Sequence, residues 1–218
     1  MTGPALAEIG RVGIVPVVVI RKESDAGPVA AALEDGCLPV MEITFRSEAA
    51  ERAIAAVARM APSILLGAGT VLTVEQVRKA VGAGARYIVS PGLQRTVVEY
   101  CLSESITVIP GALTPTEIGA ALDLGIPVIK LFPAEAAGGI EYLKAVSAPF
   151  SGVKFIPTGG ITAANAPGYL RLPSVHACGG SWMVKSDLIA AGRFDEIRSL
   201  AARAAALVVE VRGSVVNH

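Results

Sequence analysis

The chain has 218 residues, enough for one sizeable core, and its 52% hydrophobic and 17% charged residues exclude intrinsic disorder. Its 19 basic and 19 acidic side chains cancel and form no run of like charge, which argues against nucleic acid or an anionic membrane as a partner. Any anionic ligand has to be held locally. Cys37, Cys101 and Cys178 stand far apart in apolar settings and are expected as reduced core thiols. His176 and His218 are the only histidines, and neither they nor the cysteines have metal-ligand spacing, so no metal site and no cofactor are expected. The first residues carry no basic-then-apolar leader pattern, and no stretch is apolar for long enough to span a bilayer. A cytoplasmic location is expected.

The pattern predicts a short helix over residues 4–11 and a first strand over 14–20, where Pro16 calls for a strand end or a bulge. From there helices and strands alternate: helix 26–35 and strand 38–45, helix 48–60 and strand 63–68, helix 73–83 and strand 86–89. Helix 94–103 leads to strand 106–109, helix 115–123 to strand 127–132, helix 139–146 to strand 153–157, and helix 163–170 to a last strand over 174–178. A helix over 194–210 and a frayed tail complete the chain. Gly36, Gly84 and Gly125, each just before a strand, suit left-handed helix caps. Eight strand–helix units averaging about 27 residues, with no G-x-G-x-x-G, favour a (β/α)8 TIM barrel over an open doubly wound sheet. The expected architecture is one α/β domain over residues 1–218 with an N-terminal helix.

In such barrels the chemistry sits at the carboxyl ends of the strands. Lys130 interrupts the apolar run Ile126 to Phe132, a strand in which a lysine must pair, snorkel or serve as a working amine. An ordinary lysine is neutral in fewer than about one in a thousand molecules at pH 7, and desolvation or a neighbouring cation is the usual way to raise that fraction. Glu42, Thr44 and Arg46 alternate along the second strand and so share one face. They are either a structural ion-pair set, with Glu42 bracing Lys130, or part of a site, and the two readings are compatible. Thr70 follows Gly67-Ala68-Gly69, where small residues admit a ligand, although a helix start is the alternative. Ser90-Pro91-Gly92 suits a simple turn, and Thr114 suits an N-cap. Thr158-Gly159-Gly160 and Gly179-Gly180-Ser181 follow the last two strands; two glycine pairs opening into helices there point to a phosphate. His176, inside the predicted last strand, suits a satisfied core histidine better than a ligand.

These segments carry a likeness. Val15-Pro16-Val17, Met41 to Arg46, Gly67 to Leu72, Ser90-Pro91-Gly92, Ile109-Pro110-Gly111, Ile129 to Glu135, Pro157 to Ile161 and Gly179 to Trp182 all contribute to it. Through them the chain resembles the class I 2-keto-3-deoxy-6-phosphogluconate aldolases, also called 4-hydroxy-2-oxoglutarate aldolases, over nearly its whole length. It departs from them only at apolar positions such as Phe45 and Leu131. The resemblance implies that Lys130 forms a Schiff base, Glu42 shuttles the proton, and Arg46 and Thr70 hold the substrate. It also implies a homotrimer.

The expected reaction splits 2-dehydro-3-deoxy-6-phosphogluconate into pyruvate and glyceraldehyde 3-phosphate, with 4-hydroxy-2-oxoglutarate as a further substrate. Thr158 would add a hydroxyl contact, Pro91 and Phe132 would shape the pyruvyl pocket, and Gly159, Gly160, Gly179, Gly180 and Ser181 would hold the phosphate. The alternatives are a sister aldolase for the galactonate epimer and a phosphosugar isomerase or phosphate-binding barrel in which Lys130 is only an ion-pair partner. A silent ligand-binding barrel is disfavoured, because it would retain three buried charges without chemistry.

Overall fold

The computed structural model describes residues 3–213. Its strands are Ile14–Val18 (β1), Val40–Thr44 (β2), Leu65–Gly69 (β3), Tyr87–Val89 (β4), Thr107–Ile109 (β5), Gly111–Ala112 (β6), Val128–Leu131 (β7), Lys154–Pro157 (β8) and Cys178–Gly180 (β9). All pair in parallel, in a six-stranded arc β5-β4-β3-β2-β1-β9 and a three-stranded arc β6-β7-β8. The two arcs form one barrel. β5 and β6 are the two halves of a single barrel position, broken only at Pro110, whose carbonyl accepts from Lys130 N at 2.9 Å. On the other side Phe155 bridges Val175, and Thr158 bridges Gly179. The strands are buried almost throughout, as a parallel sheet covered on its outer face by helices requires.

The helices are Pro4–Val12 (α1), Ala26–Asp35 (α2), Ala50–Met60 (α3), Val74–Gly82 (α4), Arg95–Ser103 (α5), Pro115–Asp123 (α6), Gly139–Ser147 (α7), Ala166–Leu170 (α8), Ser186–Ala190 (α9) and Phe194–Arg212 (α10), with a 3₁₀ turn at Glu23–Asp25. α1 starts on Pro4, whose missing N–H is no loss in a first turn, and stops at Gly13, where φ is 75°. It buries Ala5, Leu6, Ile9 and Val12. Thr114 caps α6 as expected, its hydroxyl accepting from Glu117 N while the Glu117 carboxylate accepts from Thr114 N.

Several expectations need correction. β1 ends at Val18 and runs straight through Pro16, because pairing with β2 begins only at Val17. The last strand is Cys178–Gly180 rather than 174–178: glycines that read as a loop pair with β1, and their lack of side chains is what lets them lie against Thr158 and Trp182. His176 therefore precedes the strand instead of lying in it. Gly84 and Gly125 have the left-handed φ expected of caps, but Gly36 does not; Cys37 takes that conformation, with φ 59°. Cys37 is also exposed, whereas Cys101 and Cys178 are buried thiols. The predicted helix 163–170 shrinks to α8, and α9 was not anticipated. The predicted frayed tail falls in part on residues 214–218, outside the described residues.

Candidate active site

Lys130 and Glu42 meet inside the barrel near the carboxyl ends of β7 and β2. Both are buried, at 6% and 4% exposure, and Lys130 Nζ lies 3.5 Å from Glu42 Oε1. That is an ion-pair distance without a well-formed hydrogen bond, and Glu42 Oε1 makes no hydrogen bond among the described residues. A buried carboxylate oxygen left without a donor is unfavourable unless something else approaches it. Gly69 of β3 makes room for the carboxylate: a Cβ there would fall 2.0 Å from Glu42 Oε1. Beneath the pair, Ile9 from α1, Val15, Tyr87, Val89, Ile109, Ile156 and Thr158 enclose only a small void of about 10 Å³. The amine can therefore be reached only from above.

Above lies an open cleft of about 390 Å³, lined by Val17, Thr44, Arg46, Thr70, Pro91, Lys130, Phe132, Thr158, Gly159, Gly160, Ile161, Gly179, Gly180 and Ser181. Every residue given a catalytic, substrate or phosphate role from the sequence lines this cleft, except Glu42, which lies against its floor beside Lys130. Thr44 is buried; its hydroxyl donates to Val18 O at 3.0 Å and accepts from Arg46 Nε at 3.2 Å, fixing the guanidinium at the cleft rim. Thr70 sits at φ 56°, a left-handed conformation that a β-branched residue rarely adopts, at the mouth of the cleft. Ser90 ties its turn through a 2.7 Å bond to Gly92 O, and Gly111 presses so close that a Cβ would lie 2.1 Å from Pro91 O. The Phe132 ring centre is 5.5 Å from Lys130 Nζ, a distance at which the ring face favours a cation.

The glycine pairs take a form the sequence did not show. Neither opens directly into a helix, since α8 begins at Ala166 and α9 at Ser186. Gly159 and Gly160 instead form a left-handed turn with φ 96° and 82°. Its carbonyls are tied back by Ala134 N to Thr158 O, Glu135 N to Gly159 O and Asn165 Nδ2 to Gly160 O. Among the described residues, the amides of Gly160 and Ile161 donate to no other group of the chain. A turn with free N–H groups on a cleft is suited to an anion. Val17 and Ile161 were missed because an apolar residue carries no chemical signal in sequence.

A parallel barrel with a buried amine, a carboxylate at ion-pair distance and an open cleft above has the equipment of a lysine-dependent carbon–carbon lyase. The comparisons agree. Residues 7–200 match the profile of the family described as KDPG and KHG aldolase. The chain is 48% identical over 190 residues to a 2-dehydro-3-deoxy-phosphogluconate aldolase of Treponema pallidum, covering 87% of this chain and 90% of the relative. It is 44% identical over 191 residues to the KHG/KDPG aldolase of Escherichia coli K12, covering 88% and 90%. The solved KDPG aldolase of Legionella pneumophila, with pyruvate captured as a covalent carbinolamine, superposes with a TM-score of 0.88 at 40% identity, covering 92% of this chain and 97% of that one. The chain belongs to the KDPG and KHG aldolase family.

Proposed function

We propose that residues 1–218 act as one class I aldolase unit that splits 2-dehydro-3-deoxy-6-phosphogluconate into pyruvate and glyceraldehyde 3-phosphate. 4-Hydroxy-2-oxoglutarate, cleaved to pyruvate and glyoxylate, is the unphosphorylated substrate of the same site. The observation that carries this reading is the Lys130 amine, buried under an open cleft and 3.5 Å from an otherwise unpartnered Glu42 oxygen.

The placement of these residues supports the following roles. Neutral Lys130 Nζ adds to the carbon-2 ketone, and loss of water from the carbinolamine leaves a protonated imine that serves as an electron sink. Glu42 takes the proton of the carbon-4 hydroxyl as the bond between carbons 3 and 4 breaks; the bonding electrons pass to the imine as an enamine, and the aldehyde departs. A proton returned to carbon 3 from Glu42 and hydrolysis of the imine then release pyruvate. Arg46, whose bond to Thr44 uses only Nε, offers its terminal nitrogens to the substrate carboxylate as a planar fork. Thr70 and Thr158 supply hydroxyl contacts, and Pro91 and Phe132 shape the pyruvyl end. Gly159, Gly160, Gly179, Gly180 and Ser181 hold the phosphate at the far end of the cleft.

Incubation with pyruvate and borohydride is expected to add the reduced pyruvyl group at Lys130, located by peptide mass mapping, and Lys130→Ala is expected to lose both label and turnover. Label on another lysine, or none, sinks the assignment and favours the isomerase reading. Comparing kcat/KM on the gluconate and galactonate epimers decides between the sister aldolases. A homotrimer in the cytoplasm completes the proposal; a monomeric mass in sedimentation equilibrium would contradict the assembly. Among the described residues, no helix is long and apolar enough to cross a membrane.

A further inference from the structure

Behind the Gly159–Gly160 turn stands a carboxylate that the reaction does not use. Glu135 follows Phe132-Pro133-Ala134 out of β7, and its N–H holds Gly159 O at 3.1 Å. A Cβ on Gly160 would lie 2.6 Å from Glu135 Cβ and 2.7 Å from its Cγ, so the turn rests directly on the glutamate stem. A negative charge this close to a phosphate site would repel the ligand if it turned toward the cleft. Glu135 does not line the cleft. Its Oε1 accepts a hydrogen bond from the hydroxyl of Tyr169, a fully buried residue of α8, while Glu135 itself is exposed. On one side the bond is closely packed: a Cβ on Gly139 would lie 3.1 Å from Glu135 Oε1 and 3.3 Å from the Tyr169 hydroxyl. Burial first, and the Glu135 carboxylate second, push the Tyr169 phenol above its ordinary range, so it remains a donor at any working pH.

We propose that Tyr169 is a positioning residue for phosphate binding: its hydroxyl latches the Glu135 carboxylate behind the Gly159–Gly160 turn and keeps that charge out of the cleft. The inference rests on the phosphate assignment made above. It separates two uses of one glutamate, a backbone N–H that shapes the turn and a carboxylate that must be kept away from it. Tyr169→Phe keeps the ring that fills the core and removes only the latch.

The test measures steady-state kinetics at low ionic strength on 2-dehydro-3-deoxy-6-phosphogluconate and on 4-hydroxy-2-oxoglutarate. In Tyr169→Phe, KM for the phosphorylated substrate is expected to rise about 3- to 10-fold through like-charge repulsion with kcat unchanged, and to rise by a smaller factor for 4-hydroxy-2-oxoglutarate, whose carbon-5 carboxylate carries less charge and stops short of the phosphate position. Adding Glu135→Gln, which removes the released charge, is expected to bring KM back to near the wild-type value. An unchanged KM in Tyr169→Phe, an equal loss on both substrates, or no recovery in the double variant would overturn the latch. A wild-type protein that does not favour the phosphorylated substrate and is not inhibited competitively by inorganic phosphate would sink the phosphate assignment itself, and the latch with it.

Discussion

A single hydrogen on Gly69 decides where the Glu42 carboxylate can lie. The Cβ of an alanine there would be 2.0 Å from Glu42 Oε1, 2.6 Å from its Cδ and 2.8 Å from its Cγ, so the whole outer part of the glutamate side chain, rather than the backbone, would have to swing aside. Gly69→Ala is therefore expected to fold and to be trapped by pyruvate and borohydride at Lys130, yet to turn over about 10²-fold more slowly, since a displacement near 1 Å at a proton-transfer group has effects of that order. A kcat within twofold of wild type would show that the carboxylate's position is not critical. At this scale the sequence was informative wherever a residue was chemically out of place. Lys130 in an apolar strand and the alternation of Glu42, Thr44 and Arg46 both led to the cleft. Gly69 was legible only as a small residue beside a ligand, because its contact with Glu42 joins neighbouring strands and depends on their register, which pairs Thr44 with Gly69.

The elements that close the amino-terminal end of the barrel show what local pattern could not supply. His176 precedes β9, and its Nε2 donates to Leu6 O of α1 at 2.7 Å. α1 lies so close that a Cβ on Gly10 would fall 2.6 Å from the imidazole. Arg212, on the last turn of α10, donates to Gly10 O, Leu170 O, Val175 O and His176 O, gathering α1, α8 and the approach to β9 at one point. Burial lowers the His176 pKa from its ordinary value; the bond to Leu6 opposes this, and the Arg212 and Lys154 charges add to it. With the folded pKa below the unfolded one, the unfolded chain binds the extra proton first, so this contribution is complete above about pH 6.5 and declines as pH falls below that value. Urea melts between pH 8 and pH 5 are expected to show a loss of stability on acidification that is smaller in His176→Gln; parallel pH profiles would refute it. The strand–helix alternation was legible from periodicity, but β9 was misplaced because its glycines mimic a loop, and α9 was missed because five residues carry too short a period.

For the molecule as a whole, eightfold alternation was enough to anticipate a closed barrel, but not how unevenly it closes. The break at Pro110 and the isolated bridges Phe155–Val175 and Thr158–Gly179 are the weaker joins, whereas ladder pairing is continuous within each arc. A proline that donates no hydrogen bond thins the ring at Pro110, and a glycine that adds no side-chain packing thins it at Thr158–Gly179. Lys130 belongs to the three-stranded arc and Glu42 to the six-stranded arc. The reacting pair therefore spans the seam. Two cooperative units in native-state exchange are the expectation for a barrel with these two weaker joins, and parting them would separate amine from carboxylate while each arc is still folded. Amides of β7 and β8 are expected to exchange through an opening of lower free energy than those of β2 and β3, and activity is expected to disappear at urea concentrations below the main unfolding transition. One common opening free energy for all the strands would mean that the barrel opens as one. If the arcs part in this way, imine formation at Lys130 is expected to report barrel closure and to be lost before any spectroscopic measure of strand or helix content changes.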